Sequence, residues 1–464
     1  MFSANTYAAR RETLRTKIGG GLILLPGNMQ SPNNYPNNAY YYRQDSTFLY
    51  YFGLNIPSLA GVIDADTGEE MLFGDDFTVE DIIWMGPQPT LRELGAEAGV
   101  ATTYPMAELE KRLRAALAQG RRIHYLPPYR GETKLQLAEL LGIAPAMLHT
   151  YKSVDLMFAV AEMREVKSAE EIEELERAFR IGYKMHTLAM KMCRPGIVER
   201  EIAGAIEGIS KSYGAGVSFP SIVSQHGETL HNVCADGVLE AGRLLLCDAG
   251  GETVNNYCSD HTRTYPVNGK FTPKQREIYE IVLAAHDHAA EIVRPGMMYS
   301  DVHRAAYLKL AEGLKAAGLI RGAAEDAVAA GAITLFMPHG LGHGIGMDVH
   351  DCEAIGERSF DFSSIAERAA ASGTCIYRAA WRLRPGTVMS DEPGIYFIPA
   401  LIDKCRVEGL YRGIVDYEAL DTYRDFGGIR IEDDLLVTEA GCRMIGDEKI
   451  PVTVDELEAV VGRD

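Results

Sequence analysis

The sequence contains few cysteines and no long apolar run, and both shortages limit the kind of protein it can encode. Its eight cysteines begin at Cys193, and no two are spaced as Cys-x-x-Cys. A disulfide framework or a thiolate zinc site is therefore not expected, and the reducing cytoplasm is the predicted compartment. The first residues have no apolar segment of the signal-peptide kind. No run reaches the roughly 18 apolar residues of a membrane span, so no membrane association is predicted.

Positive charge is also scarce. The 46 lysines and arginines are outnumbered by 65 aspartates and glutamates, which gives a net charge of −19. A nucleic-acid-binding protein normally carries a basic surface, so nucleic acid is not expected as a partner. The sequence has no Gly-x-Ser-x-Gly elbow, no Walker loop and no dinucleotide fingerprint after a predicted strand. These absences favour an acidic enzyme, part of whose surplus acid is held by metal ions.

The length of 464 residues predicts two domains. The first part of the chain alternates strand and helix patterns, as an α/β domain does. A strand, a hairpin, a helix and a second strand are predicted at 21–27, 60–74, 106–120 and 121–127. A long amphipathic helix then begins, with Ser168 and Glu171 spaced as a capping box. We therefore predict one domain over residues 1–160 and a second over residues 161–464.

Five side chains of the metal-ligating type follow one another in the C-terminal half, each in a segment typical of a buried strand or a tight loop. They are Asp248, Asp260, His343, Glu392 and Glu432. Four carboxylates and an imidazole at one point would need cations to neutralise them. Two divalent ions about 3.5–4 Å apart meet that need and would supply a bridging hydroxide for hydrolysis. Oxygen-rich ligation favours manganese, with cobalt, iron or zinc as alternatives.

The aspartates and histidines of this series also have ordinary explanations. Asp248 and Asp260 flank a turn-rich segment and could be turn residues, although a hairpin there would bring both carboxylates to one face. His339, His343 and His350 lie among four glycines, where the backbone can approach closely. A single buried histidine is more often structural than a metal ligand. Three histidines together, in a chain that also has the acidic positions, favour a site.

The last part of the series reads as a strand whose residues alternate between two faces. Arg430 and Glu432 fall on the same face. An ion pair on the surface would explain them, but Ile429 and Ile431 would then point to the other side. Both faces of this strand are therefore expected to be covered. His231, upstream of the acidic positions, is weak evidence when taken alone.

With these motifs identified, the chain resembles the pita-bread metallopeptidases, close to prolidase and aminopeptidase P. The order, the spacing and the local sequence of the ligand motifs agree with this family from about residue 165 to the C-terminus. The segments YYYRQDSTFLYYFGL and GVIDADTGEEMLF resemble the N-terminal domain that those two peptidases share. The resemblance implies an α/β N-terminal domain plus an α+β pita-bread (creatinase/aminopeptidase-like) catalytic domain.

The resemblance also implies a role for each of the five ligands. Asp248 would bind one metal ion, and His343 and Glu392 would bind the other. Asp260 and Glu432 would bridge both ions. Glu392 would in addition be the general base that accepts a proton from the attacking water.

Further residues match substrate-contacting positions of the family. His231 and His350 would contact the scissile carbonyl and stabilise the oxyanion. His339 would lie more peripherally, and Arg430 would support the acidic ligands. Arg378 matches the arginine that prolidases place on the substrate's C-terminal carboxylate, which a guanidinium can bind with two hydrogen bonds. The alternative for Arg378 is an ordinary surface charge.

The resemblance implies hydrolysis of the bond before proline in small peptides that carry proline at the second position. The long stretch between His350 and Glu392 favours a prolidase that cleaves Xaa-Pro dipeptides. An aminopeptidase P acting on longer peptides is the first alternative. A metal-free creatinase-type hydrolase is disfavoured by the complete acidic set, and a catalytically inactive peptide-binding or scaffolding relative is the remaining alternative. The family also implies a homodimer or a higher homo-oligomer.

Two departures from the family pattern bear on the site. The interval between Asp248 and Asp260 is one residue longer than usual, and an extra residue in a strand can turn a side chain to the wrong face. The segment 353–377 is also longer than expected. It could form a lid, an oligomer contact or a filter for substrate size.

Overall fold

A computed structural model describes residues 1–355 and 382–463. These residues group into two compact units. The first contains Met1–Arg164 with residues 352–355, and the second contains Glu165–Asp351 with residues 382–463. The predicted boundary lies at residue 160, and the observed division falls after Arg164. Within the two described stretches, no helix is both long enough and apolar enough to cross a membrane.

The first unit alternates helices and strands, as an α/β domain does. Its helices are α1 (Ala4–Ile18), α2 (Ser46–Phe52), α3 (Val79–Met85), α4 (Leu91–Ala98), α5 (Ala107–Ala118), α6 (Gly131–Leu141), α7 (Leu148–Tyr151) and α8 (Val154–Glu165), which ends at the division. Its strands are β1 (Leu22–Pro26), β2 (Pro32–Tyr35), β3 (Asn38–Ala39), β4 (Ala60–Asp64), β5 (Glu70–Phe73), β6 (Thr102–Tyr104) and β7 (Ile123–His124). The predicted strands, hairpin and helix are confirmed as β1, β4–β5, β7 and α5.

Five strands of the first unit form one mixed sheet in the order β6-β5-β4-β1-β7. β1 pairs with β4 antiparallel and with β7 parallel. Leu22, Leu24 and Val62 alternate onto one face of this sheet and are at most 3% exposed. They pack with Leu109 and Leu113 of α5 in one apolar cluster. Burial of these side chains, worth about 1.5–3 kcal/mol each, gives the unit a core of its own.

The second unit combines long helices with short antiparallel strands. Its helices are α9 (Ala169–Met192), α10 (Glu199–Tyr213), α11 (Pro273–Ile292), α12 (Tyr299–Ala316), α13 (Ala324–Ala329), α14 (Pro399–Glu408), α15 (Tyr417–Asp421) and α16 (Val454–Val460). Its strands are β8 (Gly216–Val217), β9 (Ile222–Ser224), β10 (Leu244–Asp248), β11 (Gly251–Glu252), β12 (Thr262–Pro266), β13 (Val388–Asp391), β14 (Gly394–Tyr396), β15 (Gly428–Arg430), β16 (Asp433–Val437) and β17 (Cys442–Met444). The predicted α+β class of this unit is confirmed.

Local sequence signals set the ends of the two longest helices. Ser168 accepts a hydrogen bond from the backbone N–H of Glu171 and completes the predicted capping box at the start of α9. Thr272 caps α11 in the same way. Each helix ends just before an Arg-Pro-Gly sequence, whose glycines, Gly196 and Gly296, adopt φ values of 90° and 88°. A left-handed backbone of this kind suits glycine and turns the chain out of the helix.

The strands of the second unit bring together residues that lie far apart in the sequence. β10 is the middle strand of the sheet β12-β10-β9, and β16 is the middle strand of β13-β16-β17. A bridge between Thr262 and Glu432 links the start of β12 to the residue just before β16. The ends of β10, β12 and β15 therefore converge at one place, where the predicted ligands lie.

Candidate metal centre

The two aspartates of the predicted hairpin lie at the ends of paired strands. Asp248 ends β10 and stands opposite Thr262 of the antiparallel strand β12, and Asp260 lies two residues before Thr262. The chain between them turns back at β11, where Glu252 bridges to Cys258 and Asn256 adopts a φ of 63°. With this excursion between them, both carboxylates line one cavity.

A single cavity of about 470 Å³ collects the predicted site residues of the described chain. All five predicted ligands line it, together with the predicted substrate-contacting residues His231, His339, His350 and Arg430. His231 is exposed, whereas the four residues Asp248, Asp260, His343 and Glu432 are buried. Arg378 lies outside the described residues, as does the segment 353–377 beyond residue 355.

Three of the five predicted ligands form the tightest group. One ligand atom from each of Asp260, His343 and Glu432 lies within 4.8 Å of the others. His343 Nε2 is 3.5 Å from Asp260 Oδ2 and 3.6 Å from Glu392 Oε1. Asp248 lines the same cavity and lies 2.5 Å from an Arg430 nitrogen. The geometry therefore brings all five predicted ligands around one centre.

Burial raises the free-energy cost of ionising the carboxylates of this centre. Asp260 and Glu432 are 5% and 1% exposed. Burial and the neighbouring carboxylates raise the pKa of both groups well above the ordinary value. Asp248 Oδ1, Asp260 Oδ1 and Glu432 Oε1 are buried and have no hydrogen-bond partner among the described residues. Unpaired buried carboxylate oxygens are costly, and one imidazole nitrogen beside them completes a donor set that fits divalent cations.

Arg430 organises the acidic side of the centre. Its guanidinium donates to Asp248 Oδ2 at 2.5 Å, to the Tyr396 hydroxyl at 2.8 Å and to Thr262 Oγ1 at 3.1 Å. Thr262 Oγ1 in turn donates to Glu432 Oε2 at 2.7 Å. Arg430 is only 3% exposed, and Ile429 is fully buried, so the strand is covered on both faces as predicted. Arg430 and Glu432 are therefore not a surface ion pair.

His343 is held from its backbone. Its N–H donates to Ser390 Oγ at 3.0 Å, and its carbonyl accepts from the Ser390 N–H at 2.9 Å. A Cβ on Gly342 would lie 2.0 Å from the Ser390 carbonyl oxygen, so this approach requires glycine. The ring of His350 packs against that of His343 with centroids 3.8 Å apart. The glycine-rich loop thereby places two histidine rings side by side in the cavity.

A hydrogen-bonded chain determines which nitrogen of His339 carries the proton. Nδ1 lies 2.8 Å from the Gly340 carbonyl, which can only accept, so Nδ1 is the donor. Nε2 then accepts from the Tyr396 hydroxyl at 2.9 Å, and that hydroxyl accepts from Arg430. His339 Nδ1 is also 3.7 Å from Glu392 Oε2. The Tyr396 hydroxyl and the His339 ring therefore lie between Arg430 and Glu392.

Sequence reasoning assigned no role to Thr262 or Tyr396, although both touch the predicted site. The signal that could identify Thr262 is alternation along a strand, because it lies two residues after Asp260. Tyr396 lies in β14, beyond the turn that follows Glu392, and its local sequence carries no such signal.

One wall of the cavity is apolar. The side chains that form it are Phe219, Pro220, Ile222, Leu230, Val233 and Val349. Ile222 packs with Leu246 and Tyr396 in a buried cluster against which Leu230 also rests. The cavity therefore combines apolar side chains with carboxylates in its lining, as a site for an amphipathic ligand requires.

Comparison with known proteins agrees with this geometry. The model of metallopeptidase family M24 matches residues 173–439, and that of the aminopeptidase P N-terminal domain matches residues 7–124. The Xaa-Pro dipeptidase of Homo sapiens is 30% identical, over 95% of this chain and 88% of its own. The Xaa-Pro aminopeptidase of Escherichia coli is 32% identical, over 99% of this chain and 98% of its own.

A solved structure, that of zinc-substituted E. coli aminopeptidase P in complex with product, is similar with a TM-score of 0.81 and 29% identity. The alignment covers 99% of this chain and 98% of the E. coli chain. The catalytic family model spans more than half of the chain, and its match contains all five predicted ligands. The chain therefore belongs to metallopeptidase family M24, with an aminopeptidase P N-terminal domain in front of a pita-bread catalytic domain.

Proposed function

We propose that this metallopeptidase is a dinuclear Xaa-Pro dipeptidase that uses manganese. The observation that carries the proposal is the cavity in which five ligands meet and three buried carboxylate oxygens have no hydrogen-bond partner among the described residues. Relatives named Xaa-Pro dipeptidase and Xaa-Pro aminopeptidase support the class of substrate. The seven cysteines of the described residues are free thiols, which supports a reducing compartment such as the cytoplasm.

The five side chains would hold two divalent ions. Asp248 would bind one, His343 and Glu392 the other, and Asp260 and Glu432 would bridge them. The number of carboxylates supports two ions, because one divalent ion and the Arg430 guanidinium together carry less positive charge than the four carboxylates carry negative charge. The single imidazole among oxygen ligands supports manganese over softer metals. When bound, such ions lower the pKa of a water molecule and polarise the scissile carbonyl.

The chain's own residues would manage the protons and the developing charge. Glu392 is less buried than the other acidic ligands, with 14% of its side chain exposed, and can reach a water molecule in the cavity. Its carboxylate would accept the proton of the attacking water and pass it to the leaving amine. His231 and His350 line the same cavity and would donate hydrogen bonds to the oxyanion of the tetrahedral intermediate.

Two neighbouring side chains, Arg430 and Tyr396, would hold the catalytic and metal-binding side chains in place. Arg430 balances Asp248, and through Thr262 it orients the Glu432 carboxylate. Tyr396 fixes the His339 ring beside Glu392. Supporting contacts of this kind hold metal ligands at the required geometry.

The apolar wall of the cavity supports proline as the recognised residue. A pyrrolidine ring has no hydrogen-bond donor after the peptide bond is made, so it loses nothing by contact with Phe219, Ile222 or Val349. The imide bond before proline also has no N–H, so the cavity needs no acceptor for it. The cavity therefore suits a small substrate whose polar end faces the carboxylates.

An aminopeptidase P that cleaves longer peptides is the second candidate. The zinc-substituted aminopeptidase P structure, which aligns along nearly the whole chain, favours it. Arg378, outside the described residues, is the residue on which the two candidates differ. A dipeptidase would use this guanidinium to bind the substrate's C-terminal carboxylate, whereas an aminopeptidase would have no need of it.

The deciding experiment compares hydrolysis of an Xaa-Pro dipeptide with that of the matching Xaa-Pro-Xaa tripeptide in the presence of manganese. Wild type, Arg378→Ala and the control Arg382→Ala are measured side by side. Arg382 is exposed and donates to the Gly296 carbonyl, so its loss should leave the reaction unchanged. A dipeptidase should cleave the dipeptide faster and lose about a hundredfold in kcat/KM with Arg378→Ala, as expected when a buried carboxylate loses its partner.

The other outcomes identify the alternatives. Preference for the tripeptide, with no effect of Arg378→Ala, would establish the aminopeptidase. Cleavage of neither peptide, in a protein that binds two manganese ions per chain, would reject Xaa-Pro as the substrate.

A further inference from the structure

Glu199 lies near the start of α10, outside the metal centre, and is only 2% exposed. Both of its carboxylate oxygens are used. Oε1 accepts the backbone N–H of Gln225 at 2.8 Å, and Oε2 accepts the backbone N–H of Gly237 at 3.0 Å. The Glu199 N–H also donates to the Gly237 carbonyl at 2.9 Å. One buried carboxylate therefore joins two points of the backbone that are twelve positions apart.

The segment between these two points, residues 225–237, carries part of the cavity. Leu230, His231 and Val233 all line it, and His231 and Val233 are exposed. Between its ends the segment is attached by the Asn232 side chain, which donates to Ser224 Oγ at 2.9 Å, and by Leu230, which rests on the buried cluster. The two ends are held by Glu199. The Gln225 side chain adds to this clamp by donating to the Val238 carbonyl at 2.8 Å.

The close fit at Gly237 shows that the clamp depends on residue size. A Cβ on Gly237 would lie 2.9 Å from Glu199 Cδ and Oε1. Such a contact would displace the carboxylate. The N–H of residue 237 can therefore reach the carboxylate at hydrogen-bond distance only because the position is a glycine.

We propose that Glu199 is a positioning residue for catalysis, which acts by clamping the loop 225–237 and thereby placing His231 over the scissile carbonyl. The inference rests on the proposed function, in which His231 binds the oxyanion. A charge-assisted hydrogen bond from a backbone N–H to a carboxylate is about twice as strong as a neutral one. Glu199→Gln removes the charge and turns an NH₂ group toward one of the two donors, so the loop loses at least one of its attachments.

The first arm of the test is hydrogen exchange, which does not require activity. Amide exchange in the peptide that spans residues 225–237 should become about tenfold to a hundredfold faster in Glu199→Gln, because a buried charged hydrogen bond is lost. Glu201→Gln is the matched control. Glu201 lies in the same helical turn and accepts a backbone N–H, that of Val198, but it is exposed. Exchange in 225–237 should remain at the wild-type rate in this control.

The second arm is a double-mutant cycle with His231→Ala, measured on an Xaa-Pro peptide. Misplacement of a catalytic group by an ångström can cost up to about a hundredfold, so kcat should fall about tenfold or more in Glu199→Gln. KM should stay within about threefold of the wild-type value. In the His231→Ala background the same substitution should change kcat by less than about twofold, because the group that it positions is already absent.

The two arms of the test can contradict different parts of the proposal. Unchanged exchange in Glu199→Gln would overturn the clamp, and an equal loss of kcat in both backgrounds would overturn its action through His231. If Glu199→Gln does not fold, Gly237→Ala disrupts the same contact from the other side and should speed exchange in 225–237 alone. If the wild-type chain cleaves no Xaa-Pro peptide, the proposed function fails, while the exchange arm still decides whether Glu199 holds the loop.

Discussion

A buried ion pair beside the glycine-rich loop offers a sharp test of how the second unit is held together. Lys167 Nζ lies 3.1 Å from Asp351 Oδ2, and the two side chains are 3% and 4% exposed. Lys167 stands just before α9, and Asp351 follows His350 directly. Asp351 Oδ1 also accepts the backbone N–H of Asp348 at 3.3 Å. The pair therefore ties the start of a long helix to the loop that carries two histidines of the centre.

Lys167→Met keeps the length of the side chain and removes its charge. The Asp351 carboxylate then remains buried beside an apolar group. Breaking a buried pair from one side costs about 3–5 kcal/mol, mostly because the remaining charge loses a close attraction that offset its desolvation. In a unit of this size a kcal/mol shifts the unfolding midpoint by roughly 2 °C, so the midpoint should fall by roughly 6–10 °C.

Calorimetry of the full chain at one fixed manganese concentration measures this shift. Lys270→Met is the matched control, because Lys270 is also paired, with Glu458, but 65% of its side chain is exposed. Its loss should cost less than about 1 kcal/mol. Lys167→Met combined with Asp351→Asn should recover at least half of the lost stability. A fall of less than about 2 °C in Lys167→Met, or equal falls in both lysine variants, would refute the assignment of a tightly desolvated pair.

Further predictions follow from other contacts. Thr262→Val removes the hydroxyl between Arg430 and Glu432 and should weaken manganese binding about tenfold in calorimetric titration; unchanged affinity would contradict the supporting role. Removal of metal by a chelator should lower the stability of the second unit by about 2.7 kcal/mol relative to manganese at a hundred times its Kd. A midpoint that does not respond to manganese would reject the metal centre. Burial lowers the pKa of His303 to about 3 from 6.5, so its neutral form stabilises the fold above pH 6.5. That contribution is lost as pH falls toward 3, by about 1.4 kcal/mol per pH unit. Urea denaturation should therefore show that the free energy of unfolding falls less between pH 7 and pH 5 in His303→Leu than in wild type.

The sequence was most informative where local rules apply. The capping box at Ser168 and the hairpin between β4 and β5 depend on residues only a few positions apart, and both were predicted and are observed. Strand alternation placed Arg430 and Glu432 together for the same reason. The order of five ligands along the chain indicated the chemistry, because so many buried carboxylates have few explanations other than metal.

Contacts between distant segments could not be predicted from local sequence. Tyr396 and Thr262 received no role, because their importance comes from Arg430, a residue that each meets only after folding. Lys167 and Asp351 are 184 positions apart, and nothing in their local sequence marks them as a pair. Nothing in the local sequence distinguishes Glu199 from other acidic residues in first turns of helices, because its partners at Gln225 and Gly237 are 26 and 38 positions away.

The sequence by itself determined which groups are present, where the helices begin and end, and which side chains share a strand face. These follow from backbone geometry and from neighbours within a few residues. Only the tertiary structure decided which buried carboxylate oxygens lack a hydrogen-bond partner among the described residues, which groups contact the His339 ring and which carboxylate accepts from both ends of the loop 225–237. Those properties depend on burial and on distances of 2.5–3.5 Å between strands, helices and loops, and the chain creates them only when it folds.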